Sequence, residues 1–114
     1  MKATIWHNPR CSKSRAALVI LEETPGVEIK IFDYLKAAPG RAAIEAVLAK
    51  AGVAPHEALR KGEAAVKEIG LDITDDAAIL DAMAAHPILI ERPIVATDKG
   101  AVIARPPERA RDVL

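Results

Sequence analysis

The sequence predicts an α/β fold: a mixed four-stranded sheet flanked by helices. Three observations carry that prediction. The first 34 residues read strand, helix, strand. A run of helical segments without a strand follows, from about residue 40 to residue 86. The chain then ends on two short apolar segments joined by Asp98-Lys99-Gly100, followed by a short helical pattern. A helix crossing over between two strands of one sheet makes those strands parallel. A tight turn between two strands makes an antiparallel hairpin.

Each element has a local reason. Ala3-Thr4-Ile5-Trp6 is short and apolar, contains β-branched residues, and stops at the turn signal Asn8-Pro9. From Ser12 to Glu23, Ala16, Leu18, Val19, Ile20 and Leu21 give a helix with a wide apolar face, ended by Pro25-Gly26. Val27 to Tyr34 reads as a strand with Val27, Ile29 and Ile31 on one side. Pro39-Gly40 opens a helix over Ala42 to Ala51 with Ile44, Val47 and Leu48 as its stripe, and Gly52 closes it. Residues 55 to 70 read as two short helical pieces around Arg60-Lys61-Gly62. Thr74-Asp75-Asp76 supplies an N-cap for a helix from about Asp76 to Ala85, which His86-Pro87 ends. Ile94 to Thr97 and Ala101 to Ala104 form the hairpin, and Pro106-Pro107 starts a last short helix over Glu108 to Val113. The resulting order, β-α-β, helical insert, β-β-α, is that of a thioredoxin-like domain. Residues 1–114 are expected to form one such domain, with the insert at about 40–86.

Composition excludes several function classes. Sixteen basic residues balance sixteen acidic ones, so there is no basic excess for a general nucleic-acid binder. Trp6, Phe32 and Tyr34 are too few for a base-stacking platform. No apolar run approaches the roughly 20 residues needed to span a bilayer, and the N-terminus has no leader pattern, so the expected compartment is the reducing cytoplasm. One cysteine rules out an internal disulfide and a multi-cysteine zinc site; no metal site is expected.

That cysteine, Cys11, sits in His7-Asn8-Pro9-Arg10-Cys11-Ser12-Lys13-Ser14-Arg15. The first 21 residues carry Lys2, Arg10, Lys13 and Arg15 and no carboxylate. Fixed positive charge and a helix N-terminus both favour a thiolate. A free cysteine is often simply a small buried hydrophobe, but position and charge set this one apart. His7 precedes it by four residues, and as an imidazolium it stabilises an anion; a strand-end histidine bonded to backbone is the alternative. Asn8 and Ser14 either donate to the sulfur or hold the loop, and Ser14 and Arg15 share its helix face at i+3 and i+4. Lys13 is expected to point to solvent. Arg60, Arg92 and Arg105 are candidates for an oxyanion pocket, because a guanidinium binds two oxygens at once. A phosphatase loop needs an arginine six residues after the cysteine, where Ala17 stands. A dithiol motif needs a second cysteine where Ser14 stands.

His7 to Arg15, Leu59-Arg60-Lys61, His86-Pro87-Ile88-Leu89-Ile90-Glu91-Arg92-Pro93-Ile94-Val95, Gly100 and Ala104-Arg105-Pro106 lie in an order and at separations that resemble the glutaredoxin-linked arsenate reductases. The resemblance spans essentially the whole chain. It implies a thioredoxin-like fold with a helical insert and a cis bond at Arg92-Pro93. It also implies Cys11 as nucleophile, His7 and Ser14 in support of the thiolate, and Arg60, Arg92 and Arg105 on the arsenate oxygens. Ser12-Lys13 departs from members with small uncharged residues there. The implied reaction reduces arsenate to arsenite through a thio-arsenate on Cys11. Glutathione is then the co-substrate, glutaredoxin the partner, and no cofactor is bound. The alternatives are a glutathione-dependent thiol–disulfide oxidoreductase and a non-enzymatic redox-linked regulator of RNA polymerase. The latter commonly has a cysteine pair that this chain lacks.

Overall fold

A computed structural model describes all 114 residues. The elements are β1 (Lys2–Trp6), α1 (Ser12–Glu23), β2 (Glu28–Phe32), α2 (Gly40–Ala51), α3 (Ala64–Glu68), α4 (Asp76–Ala85), β3 (Ile94–Thr97) and β4 (Gly100–Ile103). Single 3₁₀ segments run over Pro55–Glu57, Pro87–Leu89 and Pro107–Val113. The chain forms two compact units, Met1–Ala37 with Arg92–Leu114, and Ala38–Glu91.

The first unit holds the four-stranded mixed sheet, in the order β2-β1-β3-β4. β1 and β2 are parallel, as their α1 crossover requires, with Lys2 opposite Glu28 and Trp6 opposite Phe32. β3 runs antiparallel to β1, pairing Ile94 with Trp6, and β4 closes the hairpin with Thr97 opposite Gly100. Gly100 has a φ of +149°, a conformation that side chains rarely adopt. This is the thioredoxin-like arrangement expected from the element order.

One face of this sheet carries the core. Ala3 and Ile5 of β1, Val95 and Val102 of the hairpin, Ala17, Ile20 and Leu21 of α1, and Ala110 and Val113 of the last 3₁₀ segment form one buried cluster. Fully burying an Ile, Leu or Val side chain contributes about 1.5–3 kcal/mol each before entropy is subtracted. The buried stripe of α1 is Ser14, Ala17, Ile20 and Leu21, narrower than the sequence suggests. Ala16 and Val19 lie one turn apart on the opposite side, and Val19 is 46 % exposed. Ile31 also departs from expectation, at 54 % exposed, because β2 is an edge strand with a neighbour on one side only. On the other face, Trp6 meets Phe32 edge-on, with centroids 5.2 Å apart.

The second unit packs α2 against α4 through Ile44, Val47 and Leu48 on one and Ile79, Leu80, Ala82 and Met83 on the other. Asp75 caps α4 by accepting the Ala78 N–H at 3.1 Å. Residues 58–60 run antiparallel to 89–91 through a Leu59–Ile90 bridge, with Arg60 N–H on Leu89 O and Glu91 N–H on Ala58 O, both at 2.8 Å. Leu59 and Ile90 turn into this unit's core. Arg60 and Glu91 fall on the other side, as diagonal neighbours across the bridge.

Candidate active site

Cys11 is the N-cap of α1. Its backbone is extended (φ −94°, ψ 123°), its N–H donates to Asn8 O at 3.0 Å, and its own carbonyl accepts the Arg15 N–H at 3.0 Å. Pro9 lies in the loop, and the first turn of the helix contains no acid. An N-cap side chain lies where the second and third helical N–H groups point. The sulfur makes no regular capping hydrogen bond, yet the Ser14 and Lys13 N–H groups act on it from that turn. Burial pushes the Cys11 thiol up in pKa and is the largest single influence. The Ser14 and Lys13 N–H groups, together with the charge and hydrogen bond of Arg92, outweigh it, so the pKa falls below the ordinary thiol range. Cys11 as a residue is half-buried.

Behind the sulfur lies a buried polar pair. His7 Nδ1 and Ser14 Oγ are 2.6 Å apart, and Ser14 Oγ also accepts the Asn8 N–H at 3.0 Å. Ser14 is fully buried and His7 is 7 % exposed. Burial holds the His7 pKa below its ordinary value; Asp33 pulls it up and Arg15 pushes it further down. His7 is therefore chiefly neutral at neutral pH, and it reaches the cysteine loop through Ser14. Ser14 serves twice, with its N–H towards the sulfur and its hydroxyl towards His7.

The remaining sequence-derived residues divide by what they touch. Asn8 holds the loop, since its Oδ1 accepts the Arg10 N–H at 3.0 Å. Arg15 donates from Nη1 to Pro9 O at 2.8 Å, so it clasps the loop that carries Cys11. Lys13 is exposed, as expected. Arg92 bears on the sulfur, and Arg105 Nη1 donates to the Arg92 carbonyl at 3.3 Å. The Arg92-Pro93 and Arg105-Pro106 bonds are both cis, the second unanticipated. In the second unit, Arg60 is engaged by carboxylates: Glu63 on Nη1 at 2.8 Å and Glu91 towards Nε at 3.9 Å.

Sequence reasoning missed Asp33, Glu63 and Glu91. Glu63 follows Arg60 by three residues, a spacing that signals a pair. Asp33 and Glu91 owe their places to strand and bridge register.

Comparison with known proteins gives this site its family. The ArsC family model matches residues 6–113. An arsenate reductase from Neisseria meningitidis serogroup A (strain Z2491) is 42 % identical over 113 residues, covering 96 % of this chain and 96 % of the relative. One from Rhizobium meliloti (strain 1021) is 40 % identical over 116 residues, covering all of this chain and 82 % of the relative. The solved arsenate reductase from Vibrio cholerae superposes with a TM-score of 0.92 at 38 % identity, covering all of this chain and 98 % of the other. The chain belongs to the ArsC family.

Proposed function

We propose that this ArsC-family protein reduces arsenate to arsenite, with Cys11 as nucleophile, glutathione as co-substrate and glutaredoxin as the partner that resets it. The observation that carries the reading is the half-buried Cys11 thiol at the head of α1, its pKa lowered by two helix N–H groups and Arg92. A thiol in that setting is more fully ionised to the nucleophilic thiolate, and it neighbours an anion-binding helix end.

In the proposed reaction the thiolate attacks arsenic, an S–As bond forms, and one arsenate oxygen leaves as water after taking up protons. Glutathione thiolate then attacks the Cys11 sulfur. The S–As electron pair stays on arsenic, which departs as arsenite, and Cys11 is left in a mixed disulfide with glutathione. Two electrons pass to arsenic, and two thiols become one disulfide. Glutaredoxin takes the glutathione by thiol exchange and frees Cys11. A chain with one cysteine needs such outside thiols. Arg92 and Arg105 are proposed to hold the oxyanion in the first unit. Arg60 is assigned to the same oxyanion on the family resemblance.

The test is NADPH oxidation coupled through glutathione reductase and glutaredoxin, run with arsenate and with small disulfides. Cys11→Ser should lose at least about a thousandfold in arsenate turnover while still binding arsenate or sulfate. Full turnover by that variant would sink the assignment. Turnover of disulfides without turnover of arsenate would favour the thiol–disulfide oxidoreductase, which the same half-buried thiol also suits.

A further inference from the structure

The β1–β2 ladder extends one bond past its last residue pair. Trp6 stands opposite Phe32, and the His7 N–H then donates to Phe32 O at 2.8 Å. His7 and Asp33 are thus the next register positions at the carboxyl ends of two parallel strands. Asp33 is pinned there, because its carbonyl accepts the Lys36 and Ala37 N–H groups at 3.2 and 3.0 Å, and its Oδ1 accepts the Lys36 N–H at 3.3 Å. The charged groups that act on His7 are Asp33 after β2 and Arg15 on α1; Arg92, just before β3, acts on Cys11 instead. Asp33 is the one that draws a proton towards the ring; burial and Arg15 oppose it.

We infer that Asp33 is a positioning residue of the Cys11 site: its carboxylate, in register with His7, governs the direction of the His7–Ser14 hydrogen bond and the pH range over which the loop keeps its present arrangement. The inference rests on the reading of Cys11 as the nucleophile.

The proton inventory gives the reason. A serine hydroxyl has one proton to donate and two lone pairs. The Asn8 N–H occupies one lone pair of Ser14 Oγ. Against a neutral His7 protonated at Nε2, the hydroxyl proton goes to Nδ1 across the 2.6 Å contact. Once Nδ1 is protonated, the bond reverses: the imidazolium donates to the remaining lone pair, and the hydroxyl proton must turn to another acceptor. Asn8 feels that reversal through its N–H, and the Asn8 carbonyl holds the Cys11 N–H at 3.0 Å. A path of hydrogen bonds therefore runs from His7 through Ser14 and Asn8 to Cys11, and the Asp33 carboxylate acts on its first member through charge. A neighbouring carboxylate favours the imidazolium, so neutralising Asp33 moves His7 protonation to lower pH.

The experiment follows the His7 ring protons and the Asn8 amide proton by NMR against pH, in the full-length parent and in Asp33→Asn and Asp33→Glu. In Asp33→Asn the His7 midpoint should fall by about half a pH unit or more, roughly threefold in proton affinity. The Asn8 amide should titrate at the same shifted midpoint, and Asp33→Glu should return both towards the parent. Asp33→Ser, which keeps an oxygen for the Lys36 N–H, carries the same expectation should Asp33→Asn lose its turn. A folded Asp33→Asn or Asp33→Ser protein whose His7 midpoint stays in place overturns the inference, as does an Asn8 amide that ignores His7. No arsenate enters the measurement. A parent protein that turns over no arsenate removes the reductase reading and leaves the titration result standing.

Discussion

Arg92 and Arg60 have the same side chain, similar partial burial and the same proposed role, yet their settings are opposite in sign. Arg92, which opens the second segment of the sheet-bearing unit, acts on a sulfur and lowers its pKa. Arg60, in the helical unit, lies against Glu63 and Glu91. The first cation works on an ionisable thiol. The second has part of its charge taken up by carboxylates that also fix where its guanidinium points. Partly exposed ion pairs contribute only about 0–1 kcal/mol, so the Arg60 contacts matter more for orientation than for stability. Residue type alone, even within one motif set, therefore does not say whether an arginine tunes a nucleophile or is itself held in place.

Arg92→Gln should have the largest effect of these changes. Loss of a charged hydrogen bond to the thiolate corresponds to about 1.5–3 kcal/mol, a fall in kcat/KM of roughly ten- to a hundredfold. The Cys11 pKa should rise with it, read from thiolate absorbance against pH. Arg92→Lys should recover part of the pKa shift and less of the rate, because the ammonium keeps the charge without the planar fork. An unchanged Cys11 titration in Arg92→Gln would place the pKa control in the helix N–H groups alone.

Arg60→Gln should come next, raising KM for arsenate about tenfold with the Cys11 titration unmoved. Steady-state kinetics on Arg60→Gln and Arg92→Gln together separates the two roles: one variant changes affinity, the other also changes the nucleophile. Glu63→Gln should lower stability by no more than about 0.5 kcal/mol, measured by denaturant unfolding. A much larger loss would give the Arg60 carboxylates a structural weight that their partial exposure does not suggest.

The smallest effect is on the pH dependence of folding. The pKa of His7 is depressed in the folded chain, so the unfolded state takes up its proton first as pH falls. Its contribution to stability is present above the unfolded value, near 6.5, and is lost as pH drops through the folded one. The Cys11 pKa is also depressed, so the folded state releases that proton first as pH rises. Its contribution is complete above the unfolded thiol value and is lost as pH falls through the folded one. Both slopes have the same sign, with stability rising with pH across each window. Thermal unfolding between about pH 5 and 9 checks it. His7→Asn should flatten the acid side and Cys11→Ser the alkaline side.

Much of this was legible in the residues because it is local. Asn8-Pro9 ends one pattern and Ser12 begins another, which puts Cys11 at a helix start. Asp75 ahead of an apolar helix reads as a cap, and it is one. The loss of Ala16 and Val19 from the buried face of α1 is a matter of which 100° sector meets the sheet, and apolar content alone does not choose that sector. Ile31 alternates correctly for a buried strand, but only the position of β2 at the sheet edge exposes it. Arg15 shares the helix side of Cys11, yet its length carries it back to the Pro9 carbonyl.

Local patterns along the chain were enough for the order of strands and helices, the placing of one thiol at a helix N-terminus among basic residues, and the need for outside thiols in any redox cycle. These follow from periodicity, capping and counting, which act over a few residues. Tertiary structure alone decided that Arg92 bears on Cys11, that Ser14 turns its hydroxyl to His7 while its N–H serves the sulfur, that Asp33 comes into register beside His7, and that Glu91 comes to Arg60. Each of these depends on which strand pairs with which and in what register. That choice is made by burial and chain closure over tens of residues, and no local pattern of side chains encodes it.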